Sequence, residues 1–205
     1  SRWAVDISAL EEALTSRPVE PPSFVEELQS FQAHDLEAWS CCFGHSEGIF
    51  FSGADDALMK GWDQRMEYPI FSKRHDAGVC CVQVAPLSLN QPDLLASGSY
   101  DENLRVWDLR NMRNPLSEWH LGGGVWRLQW NPSVMDSKGW QILCCCMHNG
   151  FQAVTEGQEA PTLVYHGPHT SLAYGGDWFR HSPGSQRASC CSFYDCKLSC
   201  VQWSA

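Results

Sequence analysis

Three histidines in this chain are each followed at a similar distance by an aspartate. His34 precedes Asp56 by 22 residues, and His75 and His169 precede Asp101 and Asp195 by 26 each. An imidazole held by a carboxylate is an arrangement for proton transfer. It is equally a buried polar pair that positions a turn and leaves neither group free for chemistry. His148 is different. It stands where the aspartates stand in the other units, within Met147-His148-Asn149-Gly150-Phe151, and Leu121 replaces the leading histidine. A histidine with no carboxylate is free to act as a general base near neutral pH; the alternative is drift, since an aspartate there would have lost its histidine partner. Gly44-His45-Ser46-Glu47-Gly48 matches the Gly-x-Ser-x-Gly elbow of serine hydrolases, which needs a strand turning into a helix. Here it joins two strand-like runs with no helix after it, so a plain hairpin is expected.

Eleven cysteines raise the question of a metal. Cys41-Cys42, Cys80-Cys81, Cys144-Cys145-Cys146 and Cys190-Cys191 all fall in expected strands. Adjacent strand residues point to opposite faces and cannot grip one ion together. Reduced, buried thiols and no metal or other cofactor are expected, with a cytoplasmic location. A net charge of −10 and no basic run argue against nucleic acid. No apolar run approaches the roughly 20 residues a membrane helix needs.

The elements that place these residues come from a repeat. Ser52-Gly53-Ala54-Asp55-Asp56 and Gly61-Trp62-Asp63-Gln64-Arg65 return 45 residues later as Ser97-Gly98-Ser99-Tyr100-Asp101 and Val106-Trp107-Asp108-Leu109-Arg110. A period of that size closing on Trp-Asp indicates a four-stranded propeller blade. Units of about 24–70, 71–115, 116–160 and 161–205 are visible, the last two degenerate, with Val154 and Val201 in place of the tryptophans. The expected fold is all-β, an incomplete propeller of about four blades over residues 24–205. Apolar alternation breaks between the fourth and seventh residues after each leading histidine, as a bulged strand start would give. Residues 1–23 do not fit the repeat; Ser8-Ala9-Leu10-Glu11 opens a short helix carrying Leu10 and Leu14.

These strings resemble the WD-repeat family. The resemblance implies a buried tetrad of His, Asp, Ser and Trp in each regular blade: His34, Asp56, Ser52 and Trp62, then His75, Asp101, Ser97 and Trp107. It removes both His-Asp pairs from the catalytic candidates. It also implies a ligand face built from the fifth residue after each histidine (Trp39, Cys80, Trp126, Tyr174) and the residue before each turn (Asp55, Tyr100, Met147, Tyr194). Five of these eight are aromatic, which suits a cation held against π faces. Both Trp-Asp-x-Arg turns, Trp62–Arg65 and Trp107–Arg110, match a pattern by which WD-repeat proteins dock the adaptor of cullin-RING ubiquitin ligases; the alternative is a surface pair of small worth.

Longer strings narrow the resemblance. Ser52-Gly53-Ala54-Asp55-Asp56-x-Leu58-Met59-x-Gly61-Trp62-Asp63, Gly123-Gly124-Val125-Trp126-Arg127, Met147-His148-x-Gly150-Phe151 and Cys191-Ser192-Phe193-Tyr194-Asp195 are similar to those of the diphthine methyl ester hydrolases of diphthamide biosynthesis. That resemblance implies hydrolysis of the methyl ester of over-methylated diphthine on elongation factor 2, giving diphthine and methanol. The expected roles are water activation by His148 and oxyanion stabilisation by Arg127 with nearby backbone N–H groups. Trp39, Asp55, Tyr100, Trp126, Tyr174 and Tyr194 would bind substrate, their rings caging its trimethylammonium group. The alternative function is a non-enzymatic adaptor, a substrate receptor of a cullin-RING ligase.

Overall fold

A computed structural model of the chain describes residues 29–132, 139–179 and 185–204. The helix expected near Ser8 lies outside them. Contacts group the chain into two units, Ser1–Phe31 and Gln32–Ala205, and every strand lies in the second.

Among the described residues, fifteen strands form four antiparallel meanders. The first sheet holds β1 (Ala38–Phe43), β2 (Ile49–Ala54), β3 (Leu58–Asp63) and β4 (Phe71–Arg74). The second holds β5 (Val79–Val84), β6 (Leu94–Ser99), β7 (Asn103–Asp108) and β8 (Ser117–His120). The third runs β9 (Arg127–Trp130), β10 (Gln141–Cys145), β11 (Phe151–Thr155) and β12 (Leu163–Tyr165). The fourth has β13 (Ala173–Trp178), β14 (Gln186–Ser192) and β15 (Leu198–Trp203). Sheets and sequence repeats are offset by one strand. β4, β8 and β12 open the second, third and fourth repeats, yet each pairs with the last strand of the preceding one.

The sheets pack in chain order through their first strands, β5 against β1 and β2, β9 against β5, and β13 against β9 and β10. Three apolar layers fill the gaps between neighbours, including Met59 and Leu95, then Leu104 and Ile142, then Leu143 and Phe151. Burying each such side chain contributes about 1.5–3 kcal/mol. β5 is almost wholly buried, whereas β1 and β15 alternate toward solvent, so the array is unclosed. The Ser-Gly pair repeated in β2 and β6 has a packing reason. A Cβ on Gly53 would lie 2.6 Å from Val79 Cγ1, and one on Gly98 2.6 Å from Val125 Cγ1. Glycine lets the next sheet's first strand approach this closely.

The hairpin reading of Gly44–Gly48 is observed. β1 and β2 pair across it, Gly44 N–H donates to Ile49 O at 2.8 Å, and no helix follows. All eleven cysteines are free, and no group of three metal-ligating side chains is gathered among the described residues.

Candidate functional site

The first unit forms the expected tetrad in full. His34 Nδ1–H donates to Asp56 at 2.9 Å, Ser52 Oγ–H donates to His34 Nε2 at 2.7 Å, and Trp62 Nε1–H donates to Ser52 Oγ at 2.8 Å. Every polar atom is satisfied, so the cluster holds the turn and has no free valence for chemistry.

The second unit corrects the expectation. Ser97 still joins His75 Nε2 and Trp107 Nε1, both at 2.9 Å, but Asp101 accepts instead from Arg105 Nη1 at 2.7 Å. His75 Nδ1 is buried with no partner. The reason lies four residues past each turn aspartate. Lys60 in the first unit reaches Ala33 O and leaves Asp56 to His34, whereas the forked Arg105 guanidinium bridges Asp101 and Glu118. Burial, with the charge of Arg105 beside it, holds the His75 imidazole down to about 4.

The third unit keeps the register of the regular turns. Cys145 pairs with Phe151 as Gly98 does with Leu104 and Gly53 with Met59, so His148 stands at the place of Asp101 and Asp56, and Met147 at that of Tyr100 and Asp55. A Cβ on Gly124 would meet Met147 and Tyr100, as one on Gly78 would meet Tyr100 and Asp55. Asn149 Nδ2–H donates to Leu121 O at 2.5 Å, and Gln152 Nε2–H donates to the same oxygen at 2.7 Å. His148 is exposed, with no hydrogen-bond partner among the described residues.

The bulge expected at the strand starts is also present. Pairing slips between Ala38 and Ser40, Val79 and Cys81, and Ala173 and Gly175. The skipped residues are Trp39, Cys80 and Tyr174, and a bulge turns its extra side chain out of the ladder's alternation. Trp126, at the equivalent place, ends the loop into β9. Cys80 is buried, which pushes its thiol up to about 12 and leaves it inert.

The rings gather into one run. Trp39 and Trp126 lie 5.2 Å apart, Tyr100 is 6.3 Å from Trp39 and 6.0 Å from Trp126, and Tyr174 is 5.4 Å from Trp126. Phe193 continues it at 4.7 Å from Tyr174, and Tyr194 at 4.7 Å from Phe193. Asp55 sits beside Tyr100, both within 3.3 Å of where a Gly78 Cβ would stand. Trp126 is already capped by a cation: the Arg127 guanidinium lies 5.0 Å from its ring and donates to its carbonyl oxygen at 2.9 Å. Arg127 is thus engaged with Trp126 and does not line the cavity described next.

That cavity, of about 450 Å³, opens where the third and fourth units meet. His148, His166, His169, Ser171 and Tyr194 line it over a floor of Phe151 and Ala173. Of the residues singled out from sequence, His148 and Tyr194 meet here. Trp39, Asp55, Tyr100, Trp126 and Arg127 do not; Tyr174 joins Tyr194 through Phe193. Sequence reasoning missed His169 and Phe193. For His169 the signal was Val201, which replaces the tryptophan that locks a regular tetrad.

Comparison with known proteins bears out the repeat. The WD domain, G-beta repeat family matches residues 25–63 and 68–108. The human protein named diphthine methyltransferase is 42% identical over 164 residues, 75% of this chain and 34% of its own length. The chain is a WD-repeat homologue of the diphthine methyltransferases. The Dictyostelium discoideum homologue is 39% identical over 201 residues, covering 86% of this chain and 53% of its own. The Saccharomyces cerevisiae protein is 32% identical over 201 residues, covering 85% and 51%. The chain thus spans about a third to a half of the length of these relatives.

Proposed function

We propose that this protein acts in diphthamide biosynthesis, in the cytoplasm, and hydrolyses the methyl ester of diphthine methyl ester on elongation factor 2 to diphthine and methanol. The observation that carries the reading is the histidine-lined cavity set against an aromatic stack in a homologue of diphthine-specific proteins. Ester hydrolysis needs a base for water and donors for the developing oxyanion. Histidines line the cavity, and His148 stands exposed among them.

The substrate is an imidazole side chain bearing a trimethylammonium group. Trp126 already faces Arg127, so the cation is assigned to the other end of the aromatic run, at Tyr174, Phe193 and exposed Tyr194. Contact with such faces contributes about 0.5–2 kcal/mol, and the protein's net charge of −10 favours a cationic ligand.

The relatives' name speaks of methyl transfer, and the two reactions differ in product. Incubating the full chain with methyl-esterified elongation factor 2 is expected to release methanol and lower the factor's mass by one CH₂ per site. With a methyl donor added, a mass gain without methanol would show a transferase and overturn the esterase reading.

A second reading has its own observation. In both Trp-Asp-x-Arg turns the arginine Nε and Nη2 grip the aspartate, at 2.8 and 2.5 Å for Arg65 and 2.9 and 2.8 Å for Arg110. Both guanidiniums remain mostly exposed, presenting two matched surfaces for a cullin-RING adaptor. Loss of adaptor pull-down in Arg65→Ala and Arg110→Ala would support that docking, and unchanged pull-down would exclude it.

A further inference from the structure

In the fourth unit Cys190 takes the place of the tetrad serine, and His169 bonds instead to Ser192, which stands where Ser99 and Ala54 do. Ser192 Oγ lies 2.6 Å from His169 Nδ1 and is hydrogen-bonded to Asp195 Oδ1. In the first unit the histidine stands between serine and aspartate; here the serine does. A hydroxyl has one proton, which fixes the directions along this chain. Asp195 is a carboxylate and accepts only. The Ser192 hydroxyl holds its carboxyl well below the usual range, helped by the Thr170 N–H at 2.6 Å and the Lys197 N–H at 3.3 Å. Ser192 therefore donates to Asp195, and its oxygen accepts from His169 Nδ1–H.

With Nδ1 protonated, Nε2 carries the lone pair. It is buried and has no partner among the described residues, and its ring lines the cavity, edge-on to Phe151 at 5.2 Å. Two substitutions accompany this. Cys190 stands where Trp62 and Trp107 find their serine, and Val201 stands where those tryptophans do, so the serine–tryptophan half of the regular lock is absent and His169 pairs with Ser192.

We infer that the Asp195–Ser192–His169 chain holds His169 as its Nδ1–H tautomer and makes His169 Nε2, not His148, the general base of the cavity. This rests on the ester-hydrolysis reading for its substrate. His169 Nε2 takes a proton from water as the water oxygen bonds to the ester carbonyl carbon and the carbonyl π pair moves to its oxygen. The tetrahedral oxyanion then re-forms the carbonyl, the C–OCH₃ bond breaks, and the imidazolium returns the proton to the departing methoxide as methanol. The remaining carboxylic acid ionises to the product carboxylate. The positive charge held in the interval faces Asp195 through Ser192. Ser192 itself is buried, with its proton committed to the carboxylate, so it relays and does not attack. His148 has nothing to orient its ring, and a base must be held in place.

The test uses the full chain and methyl-esterified elongation factor 2. His169→Asn keeps an N–H near the Nδ1 position for Ser192 and removes Nε2. It is expected to lower kcat by about 10²–10⁴ with KM nearly unchanged, while His148→Ala stays within about tenfold. Wild-type methanol release together with full activity in His169→Asn would overturn the inference and leave the esterase reading standing. Absence of methanol from the wild type would sink the esterase reading instead. The proton position is then decided without turnover, by ¹⁵N NMR of the His169 ring. A protonated Nδ1 with bare Nε2 supports the relay, and a proton on Nε2 overturns it.

Discussion

The first and fourth units each join a histidine, a serine and an aspartate, but through serines at different places: Cys190 stands for Ser52, Val201 for Trp62, and Ser192 for Ala54. In the first, the Trp62 N–H fills the Ser52 oxygen, the serine proton goes to His34, and His34 closes on Asp56. In the fourth, Cys190 and Val201 remove the serine–tryptophan half of that lock, Ser192 bonds Asp195, and His169 Nε2 is left buried and unpartnered on a ring that lines the cavity. Moving the serine converts a closed structural lock into an open proton path. The second unit shows an intermediate outcome, its lock opened by Arg105 at the aspartate while Trp107 still holds the serine.

The comparison breaks most severely at the two serines. Ser192→Ala removes the relay, and we expect kcat for methanol release to fall by up to about 10², with a stability loss of roughly 1–3 kcal/mol as His169 Nδ1 loses its partner. Ser52→Ala should cost stability alone. It leaves buried His34 Nε2 and Trp62 Nε1 unpaired, at roughly 1–3 kcal/mol each, with turnover per folded molecule unchanged. Urea unfolding and initial rates measured on both variants would separate the two roles. A loss of turnover in Ser52→Ala would erase the distinction.

The second unit sharpens it with pH. The unfolded chain binds a proton at His75 near the ordinary value of 6.5, the folded chain only near 4. Between these values unfolding takes up a proton, so this contribution is present above pH 6.5 and is lost as pH falls toward 4. The loss amounts to roughly 3 kcal/mol. Unfolding midpoints at pH 7 and 4.5, compared with those of His75→Asn, measure it. A smaller effect is expected from Arg105→Lys, which shortens the reach to Asp101 and gives the carboxylate back to His75. The His75 titration midpoint should rise from about 4, as read by NMR.

The parts of this architecture that recur were legible in the residues. The 45-residue copy yields the sheets, and the broken alternation yields the bulges that aim Trp39 and Tyr174. What escaped depends on where single protons and forks point. Lys60 and Arg105 look interchangeable in a sequence, yet only the forked guanidinium captures the neighbouring aspartate. His148 aligns to the turn aspartate both by counting and by strand register, yet it is the neighbouring Asn149 that bonds the Leu121 carbonyl. Val201 was visible as a departure from the repeat. Its consequence for His169 appeared only once Ser192 was seen bonded to Asp195.

The central claim, that water attacks the acyl carbon of a methyl ester on elongation factor 2, is tested most directly by running the reaction in ¹⁸O-enriched water. The account predicts one labelled oxygen in the diphthine carboxylate and unlabelled methanol. Label in the methanol, or an ester lost with no methanol formed, would contradict it.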